Sequence, residues 1–379
     1  MTGDSPALIV TTDTAGELLE SLVAVPSPSG HEHDAAALLV RWMGERGFDA
    51  GIDEVGNAVG SRGSGPHEIL LLGHIDTFPG VVPVRREGSL LYGRGAVDAK
   101  GPLCAFAVAA ASLAVPEAWR VTVVGAVEEE AASSRGAHHV LAKRKGGHAP
   151  RYCIIGEPSR WNRMTLGYKG CLRGEIRLRH PFAHSAGQAR LPAEAGVDLW
   201  HAVERWCATR NRDRPEREFD RIRASLVAIE TADAGTSGIV TLHIVFRLSP
   251  ADDPAETARA LGEALDECVR DAPAGITIAH VFSGGLAAHR ARKSTSLVRE
   301  FLQAIRGRGG DARFVNKTGT SDMNVVAPHW PDTAVVAYGP GDSALDHTPD
   351  EHIDLAEYAS AIAVLSAALA SLLAVQRPA

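Results

Sequence analysis

Several features are scarce or missing from this 379-residue sequence, and each gap removes a class of protein. Its five cysteines, Cys104, Cys153, Cys171, Cys207 and Cys268, include no CxxC pair, which excludes a disulfide framework and a structural zinc knuckle and predicts a reducing, cytoplasmic setting. Positive charge is not in surplus. The balance of 39 basic and 46 acidic residues, a net charge of -7, predicts neither a nucleic-acid binder nor a membrane-surface protein. The N-terminal stretch Met1–Thr12 has an apolar patch at Ala7–Val10 but no basic region ahead of it, so no signal peptide is expected. Only Tyr358–Val375 is long and apolar enough to suggest a membrane span. It is mostly alanine with three serines and continues from a charged amphipathic start, so it is expected to be a buried C-terminal helix. The sequence has no internal repeat and no long low-complexity linker.

What is present is organised around Ile69–Lys100. The apolar run Ile69-Leu70-Leu71-Leu72 predicts a buried strand, which breaks at Gly73 and at once presents His74-Ile75-Asp76. Further on, Gly93-Arg94-Gly95-Ala96-Val97-Asp98-Ala99-Lys100-Gly101 places a second carboxylate in a glycine-rich turn before a helical run over 102–115. Arg120–Val127 is strongly β-forming and ends in Glu128-Glu129-Glu130, and Tyr152–Ile155 is a short buried strand ending in Gly156-Glu157-Pro158-Ser159. Metal-ligating residue types thus recur at strand exits. In a mostly parallel α/β sheet, ligand sites gather there.

The remaining elements fit around this pattern. Helices are predicted over 14–25, with Thr14 and Glu17 as a capping box, and over 31–47. A pair of short strands is expected in 51–62, with turns at Gly56 and Gly60. The texture changes near Tyr168-Lys169-Gly170. Half-exposed antiparallel strands are expected at 171–179 and 239–248, and amphipathic helices at 193–209 and 254–270. The α/β pattern returns with a helix at 296–306, a strand at 333–338 and a last helix capped by Asp354, with Glu357 completing the box. The predicted architecture is an α/β, mostly parallel-sheet domain built from 1–170 and 287–379, interrupted by an inserted α+β lid or dimerisation domain at 171–286.

Singly, a histidine or a strand-end acid is ordinary. Together, His74, Asp98, Glu130, Glu157 and His347 supply two imidazoles and three carboxylates, a set that suits two zinc ions sharing one bridging carboxylate. At this point the motifs Gly73-His74-Ile75-Asp76-Thr77, Gly93–Asp98, the acidic run 128–130, Gly156-Glu157-Pro158 and Asp346-His347-Thr348-Pro349-Asp350-Glu351 resemble the di-zinc amidohydrolases that include carboxypeptidase G, aminoacylase, acetylornithine deacetylase and succinyl-diaminopimelate desuccinylase. The resemblance covers nearly the whole chain. It implies His74 and Glu157 on one zinc, Glu130 and His347 on the other, and Asp98 between them. Cobalt and manganese suit the same donors. Asp76 becomes the carboxylate that orients the His74 imidazole. Glu129 becomes the catalytic base. A second register, with Glu128 as base and Glu129 as ligand, stays open at this level.

The resemblance further implies that His184, in Ala183-His184-Ser185-Ala186-Gly187, donates to the oxyanion, often across a homodimer formed through the inserted domain. Arg247 corresponds to the arginine that grips a substrate carboxylate. The family's usual asparagine upstream of that strand is absent from 236–241. Gly167-Tyr168-Lys169-Gly170, Lys317-Thr318-Gly319-Thr320-Ser321-Asp322-Met323-Asn324 and Tyr338-Gly339-Pro340-Gly341-Asp342-Ser343 look like the acetyl-lysine deacetylase group that includes the LysW-lysine and LysW-ornithine hydrolases. That likeness implies a role in lysine or arginine biosynthesis: release of lysine or ornithine from a small acidic carrier protein or from Nα-acetyl-lysine, with Lys317, Thr318, Gly319 and Thr320 shaping the substrate pocket. An acidic carrier would need a basic docking patch, for which Arg205–Arg223 and Lys143-Arg144-Lys145 are candidates, although a solvated helix face explains them equally. Alternatives are a general N-acyl-amino-acid deacylase, a glutamate-type carboxypeptidase, and a catalytically inactive binding module.

Overall fold

The computed structural model describes residues 12–374 except 132, 145–148 and 271; Lys145 of the second basic cluster and the N-terminal stretch 1–11 therefore lie outside the described residues. In chain order the elements are α1 (Thr12–Val23), α2 (His33–Gly44), β1 (Asp49–Ile52), β2 (Ala58–Arg62), β3 (His67–His74), β4 (Arg85–Glu87), β5 (Leu90–Tyr92), α3 (Lys100–Ala111), β6 (Trp119–Ala126), α4 (Arg135–Lys143), β7 (Tyr152–Gly156) and β8 (Arg163–Tyr168). There follow β9 (Gly170–Pro181), α5 (Pro192–Arg210), β10 (Arg223–Ala234), β11 (Ser237–Leu248), α6 (Pro254–Val269), β12 (Thr277–Leu286) and β13 (His289–Arg290). The chain closes with α7 (Ser296–Gly307), β14 (Arg313–Lys317), α8 (Asp322–Val326), β15 (Ala334–Ala337), β16 (His352–Asp354) and α9 (Leu355–Ala374). These form two compact units, the second comprising Tyr168–Arg290 and Lys317–Thr320 and the first the rest of the chain.

The first unit is built on a sheet in the order β1-β2-β6-β3-β7-β15-β8. Strands β6, β3, β7 and β15 run parallel, while β2 and β8 are antiparallel to their neighbours β6 and β15. Ile69, Leu70, Leu71 and Leu72 of β3 are fully buried on both faces, which is why an uninterrupted apolar run, rather than alternation, encodes this strand. Each contributes roughly 1.5–3 kcal/mol of burial free energy. Helix α3 lies against β3 and β6 and also meets α1 and α9.

A row of glycines sets how closely α3 approaches. Gly73 pairs in register with Gly125 on one side and Gly156 on the other. A Cβ at Gly125 would lie 3.0 Å from Leu103 Cδ2, at Gly73 3.3 Å from Leu103 Cβ, and at Gly156 2.9 Å from Phe106 Cε2. The start of α3 therefore seats directly on the sheet, at the level where the strands end and the candidate ligands begin.

Helix α9 is long and apolar enough to cross a membrane on length and composition, but its stripe of Tyr358, Ala361, Leu365, Ala368, Leu369 and Leu372 is buried in the core. Asp354 caps it, accepting from the Ala356 amide at 2.9 Å. Glu357 does not complete a capping box; its Oε1 accepts from the amides of Trp161 and Gly341 instead. At the other end of the chain α1 is already helical at Thr12, so Thr14 lies inside the first turn. Gly60 is within β2, not a turn; a Cβ there would meet Met43 Sδ at 2.6 Å.

The second unit is a four-stranded antiparallel sheet in the order β10-β11-β9-β12, with α5 and α6 on one face. Its inner residues alternate as expected for a one-sided sheet, with Ile176 and Leu178 of β9 and Val240, Leu242, Ile244 and Phe246 of β11 buried. Asp252 closes the turn before α6. Its fully buried carboxylate takes two 2.7 Å bonds from Arg214, and Ser249 adds its amide and hydroxyl. Burial pushes this carboxyl up, but the Arg214 and Ser249 bonds outweigh burial and hold it below its ordinary range.

Because the folded-state pKa is depressed, this contribution to stability is complete above the ordinary carboxylate range and is lost as pH falls through the lowered value. Asp252→Asn is expected to destabilise by about 3 kcal/mol at neutral pH, because it leaves Arg214 without its counter-charge. Denaturant titrations at pH 7 and pH 3 check this, and the gap between variant and parent should narrow at the lower pH.

Candidate metal centre

Five segments of the first unit bring their polar side chains together. His74 ends β3, Glu129 and Glu130 follow β6, Glu157 follows β7, Asp98 lies in the turn before α3, and His347 is in the loop before β16. Asp98 stands between the histidines. Its Oδ1 is 3.2 Å from His74 Nε2 and its Oδ2 3.3 Å from His347 Nε2. Behind His74 is Glu157, with Oε1 4.0 Å from Nε2; behind His347 is Glu130, with Oε2 at 3.1 Å. Ligand atoms of His74, Asp98 and Glu130 all lie within 4.8 Å of one another.

Packing these carboxylates together has an electrostatic cost. Glu130 is pushed up to about 7, first by burial and then by the neighbouring Asp98 charge, with the histidines pulling the other way. Burial also holds Glu129 well above the carboxylate range; the His74 charge opposes this, while Glu157, Asp322 and Glu130 add to it. His347 is raised to about 9, chiefly by its hydrogen bond to Asp98. Acids held this close, with imidazole nitrogens interleaved, suit divalent cations, which would relieve the repulsion that protons otherwise relieve. The donor set fits a metal pair.

The acidic loop after β6 is fixed amide by amide. Val127 N–H donates to Asn57 Oδ1 at 3.0 Å, Glu128 N–H to Glu32 Oε1 at 3.2 Å, Glu129 N–H to Asp76 Oδ1 at 3.1 Å and Glu130 N–H to Asp76 Oδ2 at 3.0 Å. Asn57, completely buried, also donates to the Gly136 carbonyl, so it ties both ends of this loop. Gly136 must be glycine there, since a Cβ would lie 2.4 Å from Asn57 Oδ1. Glu128 turns away to Arg135 and Ser133, whereas Glu130 faces His347.

Asp76 was expected to orient His74, and its Oδ1 is 3.4 Å from His74 Nδ1, with the Asp76 carbonyl oxygen closer at 3.0 Å. Its shorter carboxylate bonds go to the two amides above and to the Ser29 hydroxyl at 2.7 Å. The Asp98 turn has its own clamp. Glu351, fully buried, accepts from the amides of Val97 and Asp98 on Oε1 and from Arg94 on Oε2. Asn57 and Glu32 were not singled out from the sequence, and Glu351 entered only as the end of the 346–351 motif with no role of its own, because each works on the backbone of a distant segment.

The other expected site residues lie in the second unit. His184 is exposed in the loop after β9, where the Ala186 amide donates to its Nδ1, leaving the ring proton on Nε2. Arg247 of β11 is 3.5 Å from Thr320 Oγ1, and Lys317 Nζ lies 5.8 Å over the Tyr168 ring. The motif Lys317–Asn324 is divided. Lys317–Thr320 belongs to the second unit, while Ser321 and Asp322 start α8 in the first, buried, with Ser321 and Asn324 forming a capping box. A second group able to hold a cation, Asp53, Glu54 and His139, is already engaged: Asp53 accepts from three amides and Glu54 pairs with Lys143.

Residues 70–371 match Peptidase family M20/M25/M40, to which the chain belongs, and the sheet with its strand-end candidate donors is in keeping with that class of metal-dependent amide hydrolases. Among curated proteins it is 45% identical to the LysW-lysine hydrolase of Deinococcus radiodurans, over 94% of this chain and 97% of that one. It is 36% identical to the putative LysW-lysine/LysW-ornithine hydrolase of Thermococcus kodakarensis, over 94% and 92%. Similar solved structures include a tripeptidase from Staphylococcus aureus, with TM-score 0.78 and 15% identity over 96% and 99% of the two chains. A dinuclear metal-binding peptidase of the M20 family from Bacillus subtilis gives 0.66 and 13% over 96% and 98%. At those identities the structures speak for the fold alone.

Asp76→Asn keeps the shape but presents an NH2 group where two amides and a histidine seek an acceptor. Metal affinity is expected to fall by about 10- to 100-fold, read by competition with a chromophoric chelator. Unchanged affinity would mean that the loop holds its conformation without this carboxylate.

Proposed function

We propose that this chain is a LysW-lysine hydrolase: a di-zinc enzyme that releases lysine, or ornithine, from the C-terminal glutamate of a small acidic carrier protein. The observation that carries the metal half of this reading is Asp98 presenting one oxygen to each histidine, with Glu157 beyond one and Glu130 beyond the other. His74, Asp98 and Glu157 would hold one ion, and His347, Glu130 and Asp98 the other. The substrate half rests on the identity to the Deinococcus protein along nearly the full length of both chains.

Two divalent ions held by those residues would supply Lewis acidity for a water and for an amide carbonyl. Glu129, half-buried beside these donors and with its carboxyl held above the ordinary range by burial, takes the proton of the attacking water and returns it to the leaving amine. Glu128, paired with Arg135, is poorly disposed for that task, which favours the register with Glu129 as base and Glu130 as ligand. His184, with its proton on an exposed Nε2, is the donor for the oxyanion, and Arg247 with Lys317–Thr320 forms the substrate-binding set. A homodimer through the second unit and a cytoplasmic setting complete the reading. The free state of all five cysteines agrees with the latter.

Docking of an acidic carrier would draw on the arginine segment 205–223. There Arg214 is committed to Asp252 and Arg210 stacks on Trp206, so Arg205, Arg212, Arg217 and Arg223 are the exposed contributors.

The test offers metal-loaded enzyme a carrier ending in γ-glutamyl-lysine, Nα-acetyl-lysine and acetylornithine in competition. Preferential release of lysine from the carrier is expected; preference for the free acetyl compounds would make it an ordinary deacetylase. Glu129→Gln should lower kcat by about 10²- to 10⁴-fold with both metal equivalents retained. Loss of metal together with activity would instead make Glu129 a ligand.

A further inference from the structure

Of the two candidate ligand histidines, His74 is buried, and its second ring nitrogen is fixed by Asp76. His347 is different. Its side chain is 42% exposed and its backbone is left-handed at φ 61°, in a loop and not at a strand end. A ring so exposed on an imidazole meant to point Nε2 at Asp98 and Glu130 needs another restraint.

That restraint is Phe78. Its ring lies 4.2 Å from the His347 ring, centroid to centroid, with 12° between the planes. Phe78 follows the strand end that presents His74 and Asp76, and Thr77 before it is anchored by its amide on the Ser27 carbonyl at 2.9 Å. The guanidinium of Arg94 stands 5.9 Å from the Phe78 centroid, and its Nη1 donates to Glu351 Oε2 at 2.7 Å. The other oxygen of Glu351 holds the amides of Val97 and Asp98. The order Asp98 turn, Glu351, Arg94, Phe78, His347 is thus a continuous series of contacts joining the bridging carboxylate to the most exposed ligand.

We infer that Phe78 is the positioning residue of His347: its ring, backed by Arg94, does by stacking for the exposed histidine what Asp76 does by hydrogen bonding for the buried one. Parallel aromatic faces restrict rotation about the imidazole χ2, which decides where Nε2 points. At 39% exposure the Phe78 side chain contributes little to the core, so its position is explained by what it covers. This inference rests on the di-metal reading given above.

The experiment is metal binding to full-length protein by titration calorimetry with zinc, together with kinetics, for the parent, Phe78→Ala, Phe78→Tyr, His347→Ala and the double variant Phe78→Ala/His347→Ala. In Phe78→Ala one of two zinc equivalents is expected to weaken by about tenfold or more while the other is unchanged, with Phe78→Tyr restoring it. In the His347→Ala background the Phe78 substitution should have no further effect on zinc binding, because the group it positions is gone. Equal zinc affinities in parent and Phe78→Ala overturn the inference, as does a raised KM with metal binding intact, which would make Phe78 a substrate wall. A parent that binds fewer than two equivalents overturns the di-metal reading and this inference with it, whereas two parental equivalents with no response to Phe78→Ala overturn the inference alone. Thermal unfolding of the metal-free proteins controls for folding and should be the same for parent and Phe78→Ala.

Discussion

The Asp76 carboxylate is fully buried and still answers a histidine, a serine hydroxyl and two backbone amides. Burial works against its charge, and the His74 and Ser29 contacts and the Glu130 amide outweigh that cost and keep it ionised. The geometry of the centre follows from this one group. By holding the amides of Glu129 and Glu130 it fixes which way the two side chains leave the backbone, and by facing His74 Nδ1 it aims Nε2 at Asp98. The proposed base and candidate ligands from two strands are thereby indexed to a single atom pair. The glycine row at Gly73, Gly125 and Gly156 supports this, because α3 packs directly on the strand ends at those glycines.

The same logic explains why the centre needs so many supporting groups. Five candidate donors that repel or compete are held close, and the backbone at Asp98 and at Glu130 is anchored by side chains from elsewhere, Glu351 and Asp76. Asn57 and Glu32 hold the entry to the acidic loop, and Glu351 holds the Asp98 turn. Such preorganisation places the cost of assembling like charges in the folding of the first unit. What would remain for a bound cation is to relieve repulsion that is already in place.

Much of this was legible in the sequence, and for physical reasons. Strands buried on both faces carry unbroken apolar runs, so β3, β6 and β7 stood out, and residues directly after such runs are held rigidly enough to serve as ligands. The candidate donors His74, Asp98, Glu130, Glu157 and His347 were proposed from residue type and place, and the fold brings them together. The clamps were not proposed, because Asn57, Glu32 and Glu351 act on amides up to hundreds of residues away, and an amide has no side-chain signature. Strand β10 escaped notice for a different reason: an edge strand exposed along most of its length, it lacks the alternation that a half-buried strand shows. Glu357, read as a helix cap from its spacing, was claimed instead by the amides of Trp161 and Gly341. Spacing identified a capacity to accept hydrogen bonds; tertiary structure chose the donors.

Charge in the arginine-rich segment shows the same selection. Seven arginines in nineteen residues suggest a strongly basic surface. In the fold Arg214 binds Asp252, Arg210 lies on Trp206 and within 3.9 Å of Asp252, Arg221 reaches the Asn211 carbonyl and Arg223 pairs with Glu218. Several of these cations thus hold the second unit together, and the field left for a partner is weaker than the composition suggests. A field of that size raises encounter rates more than it raises affinity. Discrimination between a carrier-borne and a free acylated amino acid would then depend mainly on differences in transition-state binding, and less on the charge of the surface that first meets the carrier.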